Sequence, residues 1–171
     1  DDVLADVVRR LGYKAGDTLK LILPFLKACG ASNRGIRTYS SGHILLVPGA
    51  KDTLRFVRGL MPSFIVSTSY EQYMRALCDI VDFPFQNVYC TQLDLDKYEI
   101  SEKEKKKLKQ LREEISKMPV IEIPKGTKTL VDLPKEHRDT VERLDEIFWK
   151  EISDMRIGRI LREVNPVGGF E

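Results

Sequence analysis

One run of six residues carries the clearest chemical suggestion in this sequence: Phe64-Ile65-Val66-Ser67-Thr68-Ser69. Its apolar half, bounded by Pro62 and by the hydroxyls, predicts a short buried parallel strand. A small hydroxyl at the carboxyl end of such a strand stands where open α/β sheets bind ligands. A helix beginning just beyond it adds free backbone N–H groups and the positive end of a dipole. Together these groups suit a phosphate. The same hydroxyls also serve simply as helix caps, and the residues alone leave both readings open.

Other reactive side chains are more scattered. Asp94 and Asp96 follow a second strand-like stretch, Asn87 to Leu93, and read as surface turn groups rather than metal ligands. His43 and His137 stand alone, so no Ser-His-Asp arrangement can be built on them. Tyr13, Lys14 and Asp17 read as plain surface in a helical lead. Cys29, Cys78 and Cys90 are odd in number and lack metal spacing, which predicts buried thiols of a cytoplasmic protein rather than a disulfide framework.

The elements that must position these groups are legible from periodicity. Val3, Leu4, Val7, Val8 and Leu11 recur at helical spacing. A second helix carries Leu19, Ile22, Leu23 and Leu26, with Pro24 expected to kink or split it. Ser32-Asn33 caps a third, reaching toward Leu45. After Pro48-Gly49-Ala50 comes a helix with Leu54, Val57 and Leu60, then the strand, a helix with Tyr73, Met74, Leu77 and Ile80, and the second strand. Helix, strand, helix, strand predicts a right-handed parallel α/β unit. Ser101 and Glu104 have capping-box spacing before a polar helix over 101–118. Short β-like pieces are expected around Val120 to Ile123 and Thr129 to Val131. A last helix over 135–156 bears Val141, Leu144, Ile147, Phe148, Ile152 and Met155 as a core stripe, with Trp149 beside it.

Composition narrows the classes. The 171 residues are 42% hydrophobic and 32% charged, enough apolar content for a real core. Lys+Arg is 28 against Asp+Glu 26, a net charge of +2. That balance argues against nucleic acid, and the basic run from Lys103 to Arg112 is interleaved with glutamates as a solvated helix face is. No apolar run nears the roughly 20 residues of a membrane span.

The stretch from Leu45 to Asp96, "LLVPGAKDTLRFVRGLMPSFIVSTSYEQYMRALCDIVDFPFQNVYCTQLDLD", resembles the middle of a haloacid dehalogenase superfamily phosphatase. In that family a Pro-Gly turn and helix precede a strand ending in the Ser or Thr that holds the transferred phosphoryl group. Ser67 matches that position best, and Thr68 is the runner-up. The segments "GYKAGDTLKLILPFLKACGASNR", "VSTSYEQYMRALC" and "EVNPVGG" are further similar, in that order, to the archaeal haloacid-dehalogenase-like proteins named as subunit R of energy-converting hydrogenase A.

The resemblance implies an α/β fold with a partial Rossmann-like parallel sheet. Residues 1–46 would form a helical cap, 47–98 the partial core, 99–160 a mostly helical insertion, and 161–171 a return toward the rest of the core. It implies a Mg²⁺-dependent phosphomonoester hydrolase working through an aspartyl-phosphate, or else a non-catalytic accessory subunit of the hydrogenase complex. Its partners would be a phosphorylated small molecule or hydrogenase subunits, and its location the cytoplasm, peripheral to the membrane complex without insertion. The family's nucleophilic Asp-x-Asp motif has no match: Asp1, Asp2 and Asp6 lie in a helix-like stretch, Asp132 lacks its second Asp, and Asp94 and Asp96 come after the hydroxyl motif. The Mg²⁺-ligating motif is likewise unmatched, so the family pattern implies a chain cut at both ends and inactive as it stands.

Overall fold

A computed structural model describes residues 7–9, 13, 14 and 16–167. Helices dominate it: α1 (Thr18–Ala28), α2 (Asn33–His43), α3 (Ala50–Leu60), α4 (Glu71–Val81), α5 (Glu102–Ser116), α6 (Lys135–Glu146) and the single-turn α7 (Ile160–Glu163). Two strands, β1 (Ile65–Tyr70) and β2 (Val88–Thr91), pair in parallel, with α4 as the crossover between them. The described residues are therefore mixed α/β, mostly helical, with one small parallel sheet.

Helix α1 runs unbroken through Pro24, against the expected kink, and Pro24 is buried. Its end is a Schellman motif: Ala31 N–H reaches Leu26 O at 3.0 Å and Gly30 N–H reaches Lys27 O at 3.0 Å. Gly30 takes φ +84° there, a conformation other residues rarely adopt. Ser32 caps α2 by accepting from Gly35 N–H, as its position predicts. The capping box of α5 forms in full between Ser101 and Glu104.

Leu23 and Ala28 of α1, Leu108 and Leu111 of α5, Ile147 and Ile152 and the turn at Ile157 to Ile160 share one core with Leu93, Leu95 and Tyr98 beyond β2. A second cluster joins Met74, Cys78 and Val81 of α4 to Val88 and Cys90 of β2. Val7 packs with Leu133 and Val141 in a third, whereas Val3, Leu4, Leu11, Asp1, Asp2 and Asp6 lie outside the described residues.

Several local expectations are corrected. Strand β1 does not stop at Ser67 but continues to Tyr70, and no side chain caps α4. The β-like piece at Thr129 is a 3₁₀ turn, Leu130–Asp132, because Asp132 turns back to accept from the N–H of Lys128 and Thr129. The helix over 135–156 changes at Ile147 into a π-helical turn, Ile147–Ile152. Cys78 and Cys90 are buried thiols, but Cys29, at the end of α1, is exposed. Asp17 is not plain surface: it is buried, accepts from Lys14 N–H, and pairs with Lys20 at 2.8 Å. No helix among the described residues is long and apolar enough to cross a membrane.

Candidate functional site at the carboxyl end of β1

The register of the sheet explains why the hydroxyl run is special. Ile65 pairs with Val88 and Val66 with Tyr89, but the next pair is Tyr70 with Thr91. Between those rungs β1 advances from 66 to 70 while β2 advances only from 89 to 91. Ser67, Thr68 and Ser69 therefore occupy an irregular stretch that leaves the ladder, the kind of bulge that re-aims side chains near sites.

Ser67 is half-buried, and its Oγ accepts from Ser69 N–H at 3.1 Å. Thr68 is exposed. A Cβ added to Gly16 would stand 3.4 Å from the Thr68 methyl, so the turn before α1 comes close beside Thr68 without burying it. Exposure alternates along Ile65, Val66, Ser67 and Thr68. Ile65 packs with the α4 cluster, so Ser67 shares the α4 side of the strand and Thr68 the open side with Val66. The two hydroxyls thus stand on different sides of one backbone.

Around them the scaffold is firm. Thr91, fully buried, donates from Oγ1 to Thr68 O at 2.6 Å and accepts from Val167 N–H at 3.1 Å. One hydroxyl so ties the bulge to β2 and to the returning segment at 164–167. The Tyr70 phenol donates to Leu19 O, fixing β1 to α1, and burial pushes its pKa well above the usual tyrosine range. The first N–H groups of α4 have no side-chain cap, which leaves them directed at the bulge end of the strand. Glu71 in that first turn is held by Arg75, Nε to Oε1 at 2.7 Å, and the Arg75 guanidinium lies 3.8 Å over the Phe85 ring.

Asp94 and Asp96 are exposed and turn toward Asn33 at the start of α2. Asn33 Nδ2 donates to Asp94 Oδ1 at 2.7 Å, and its backbone N–H donates to Asp96. Among the described residues no group of three or more His, Cys, Asp or Glu could hold a metal. His43 stacks on Tyr39 at 3.9 Å, and His137 bonds the Glu122 carbonyl, far apart in the chain and in separate surroundings. Sequence reasoning missed Thr91, Asn33 and Gln72. Each matters through partners 21 to 76 positions away, as with the 21 separating Gln72 from Leu93 and the 76 separating Thr91 from Val167, and no spacing rule reports such pairs.

No protein-family model and no curated protein matches the sequence. The fold is similar to the solved structure of gene product AF1437 from Archaeoglobus fulgidus, with a TM-score of 0.76 and 26% identity. The alignment covers 98% of this chain and 46% of that one, so the chain spans about half the length of the solved protein it resembles.

Proposed function

We propose that the chain is the cap and central portion of a haloacid-dehalogenase-like phosphomonoester hydrolase, with Ser67 holding the substrate phosphate and Thr68 second to it. The observation that carries this reading is the hydroxyl run in a bulge at the carboxyl end of a parallel strand, followed at once by an uncapped helix start. Such an end offers hydroxyl and N–H donors to an anion. The sheet also supports it. β2 lies along one edge of β1, and no described strand lies along the other. Phe64, Val66 and Tyr89 stand exposed on one face, with Phe64 and Tyr89 rings 6.3 Å apart. Parallel sheets are ordinarily covered on both faces, so β1 and β2 read as part of a larger sheet.

The described residues do not fit a Mg²⁺ site. Asp94 and Asp96 are both engaged with Asn33, and no third carboxylate joins them. The proposal therefore places the nucleophilic Asp motif and the magnesium ligands in polypeptide outside this sequence, and assigns these residues phosphate positioning only.

A second reading is a non-catalytic accessory subunit of an archaeal energy-converting hydrogenase complex. The exposed apolar side chains of Phe56 and Leu60 on α3, with Met61 beyond it, favour a partner-bearing surface. One comparison separates the readings: assay this chain and the full-length product of its gene with an aryl phosphate and Mg²⁺. The enzyme reading expects turnover from the full-length protein alone, falling about 10² when Ser67→Ala removes its donor. An inert full-length protein that co-purifies with hydrogenase subunits supports the accessory role instead.

A further inference from the structure

Helix α1, the π-helical turn Ile147–Ile152 and α7 enclose a cleft of about 450 Å³ that neither Ser67 nor Thr68 lines. Small-molecule sites run from about 300 to 1,000 Å³, so the space suits such a ligand. Three aromatic side chains meet in its wall. The Trp149 ring lies 6.2 Å from Tyr13 at an interplanar angle of 54°, and 5.8 Å from Phe148 at 77°. Rings at such angles form a corner rather than a stacked pair, and a corner takes a further ring edge-to-face or offset. The π-helical turn brings its consecutive residues Phe148 and Trp149 to this one cleft, and π turns recur at functional sites.

The charge in the wall is of one sign. Among the described residues that line the cleft, Lys20 and Arg162 are cations and none is a carboxylate. The Lys20 side chain is 14% exposed, and its ammonium donates to Asp17 at 2.8 Å. Asp17 does not line the cleft, and it also accepts from Lys14 N–H at 3.1 Å. Arg162 is steadied by Ser153 through Nη1 alone, to Oγ at 3.1 Å and to the carbonyl at 3.4 Å, and makes no ion pair among the described residues. The Nε and Nη2 hydrogens, the edge that meets an oxyanion in bidentate fashion, have no partner among those residues.

We propose that this cleft binds a small aromatic acid, its ring in the corner at Trp149 and its carboxylate or phosphate on Arg162 and Lys20. A guanidinium meets either oxyanion with charge-assisted, bidentate hydrogen bonds. One already steadied by Ser153 has less freedom to lose on binding. An aliphatic anion would leave the aromatic corner to water, and an uncharged ring would leave two cations without the opposite charge. The site is independent of the phosphate reading, because it shares no residue with the β1 bulge.

Trp149 is the single tryptophan of the sequence, so intrinsic fluorescence reports on this cleft alone. The test titrates the chain with phenylacetate, hydrocinnamate and phenyl phosphate. Cyclohexylacetate serves as the control without an aromatic ring, and phenylethanol as the control without charge. At least one aromatic anion should change the emission saturably and bind about tenfold or more tightly than both controls. The carboxylates lead if the guanidinium takes a carboxylate, and phenyl phosphate leads if it takes a phosphate. Arg162→Gln should weaken that binding about tenfold, and Arg162→Lys, which keeps the charge but not the fork, should recover part of it. The proposal is overturned if no aromatic anion saturates the change by about 10 mM, if either control binds as tightly, or if Arg162→Gln binds unchanged. The comparison among ligands uses the unsubstituted chain, so it decides the matter even where a variant unfolds.

Discussion

Asn33 Oδ1 accepts from Leu95 N–H and from Gln72 Nε2, both at 2.9 Å, so one amide oxygen joins α2, α4 and the chain beyond β2. With Asp94 and Asp96 on its other groups, Asn33 is the knot of this end of the molecule.

Replacing Asn33 with Ala should therefore cost more than an ordinary exposed cap. Leu95 N–H and the Gln72 amide would each lose an acceptor, for about 2 kcal/mol in all. Urea unfolding would show it as a lower midpoint at unchanged slope. A midpoint equal to that of the unsubstituted protein would mean that water replaces the amide freely.

Gly158 should tolerate no side chain. A Cβ there would lie 2.0 Å from the Ile152 carbonyl oxygen, inside the backbone of the π-helical turn. Rigid backbone cannot yield as a side-chain tip can, so Gly158→Ala should destabilise by about 3 kcal/mol. Calorimetry reads this as a lowered Tm, and an unaffected Tm would show that the turn at Ile157 shifts without cost.

Acid should loosen the join between α5 and the turn at Ile157. Burial raises the Glu104 pKa, but hydrogen bonds from the Ser101 hydroxyl and N–H and from Ile157 N–H outweigh it and hold the carboxyl below its usual range. A depressed pKa contributes stability that is complete above the unfolded value, about 4.3 for Glu, and is lost as pH falls through the folded one. Stability should accordingly drop on acidification below that value, and Glu104→Gln should flatten the dependence. Equal slopes in both proteins would contradict the assignment.

Thiol chemistry should distinguish the cysteines. Cys29 is exposed, whereas burial pushes the Cys78 and Cys90 thiols up. A thiol reagent at neutral pH should label Cys29 in the native protein, and the other two only after unfolding. Mass spectrometry locates the label, and native modification of Cys90 would show that the α4 cluster opens readily.

The open face of β1 gives a paired test. Within this chain, Val66→Lys should change stability by less than about 0.5 kcal/mol, because Val66 is 47% exposed. Ile65→Lys, one residue away, would drive a charge into the α4 cluster and should unfold the sheet. Equal effects would mean that Val66 is covered.

Much of this architecture was legible where the signal was local. The Ser101 box, the α3 start after Pro48-Gly49 and the apolar Ile65-Val66 pair each depend on residues within a few positions. What escaped depends on distance. Strand β1 outlasts its apolar run because Tyr70 is anchored to Leu19 and Thr91 holds Thr68, and hydroxyls alone read as a helix cap. The π-helical turn at Ile147 keeps the helical stripe while changing its pitch, so periodicity passes over it. The hydroxyl bulge was marked by residue type, but the Asn33–Gln72–Asp94 constellation gathers residues from three separate stretches of chain.

The unequal advance of the two strands has a consequence for how this end could change. β1 uses four steps to cover what β2 covers in two, so it carries surplus contour length where Ser67, Thr68 and Ser69 sit. Pairing above and below fixes Val66 and Tyr70 but does not dictate which hydroxyl faces which side. A single deletion in that slack would exchange the sides of the hydroxyls while both anchoring rungs stayed in register. The donor presented at the strand end is therefore set separately from the sheet that supports it, and one can be altered without rebuilding the other.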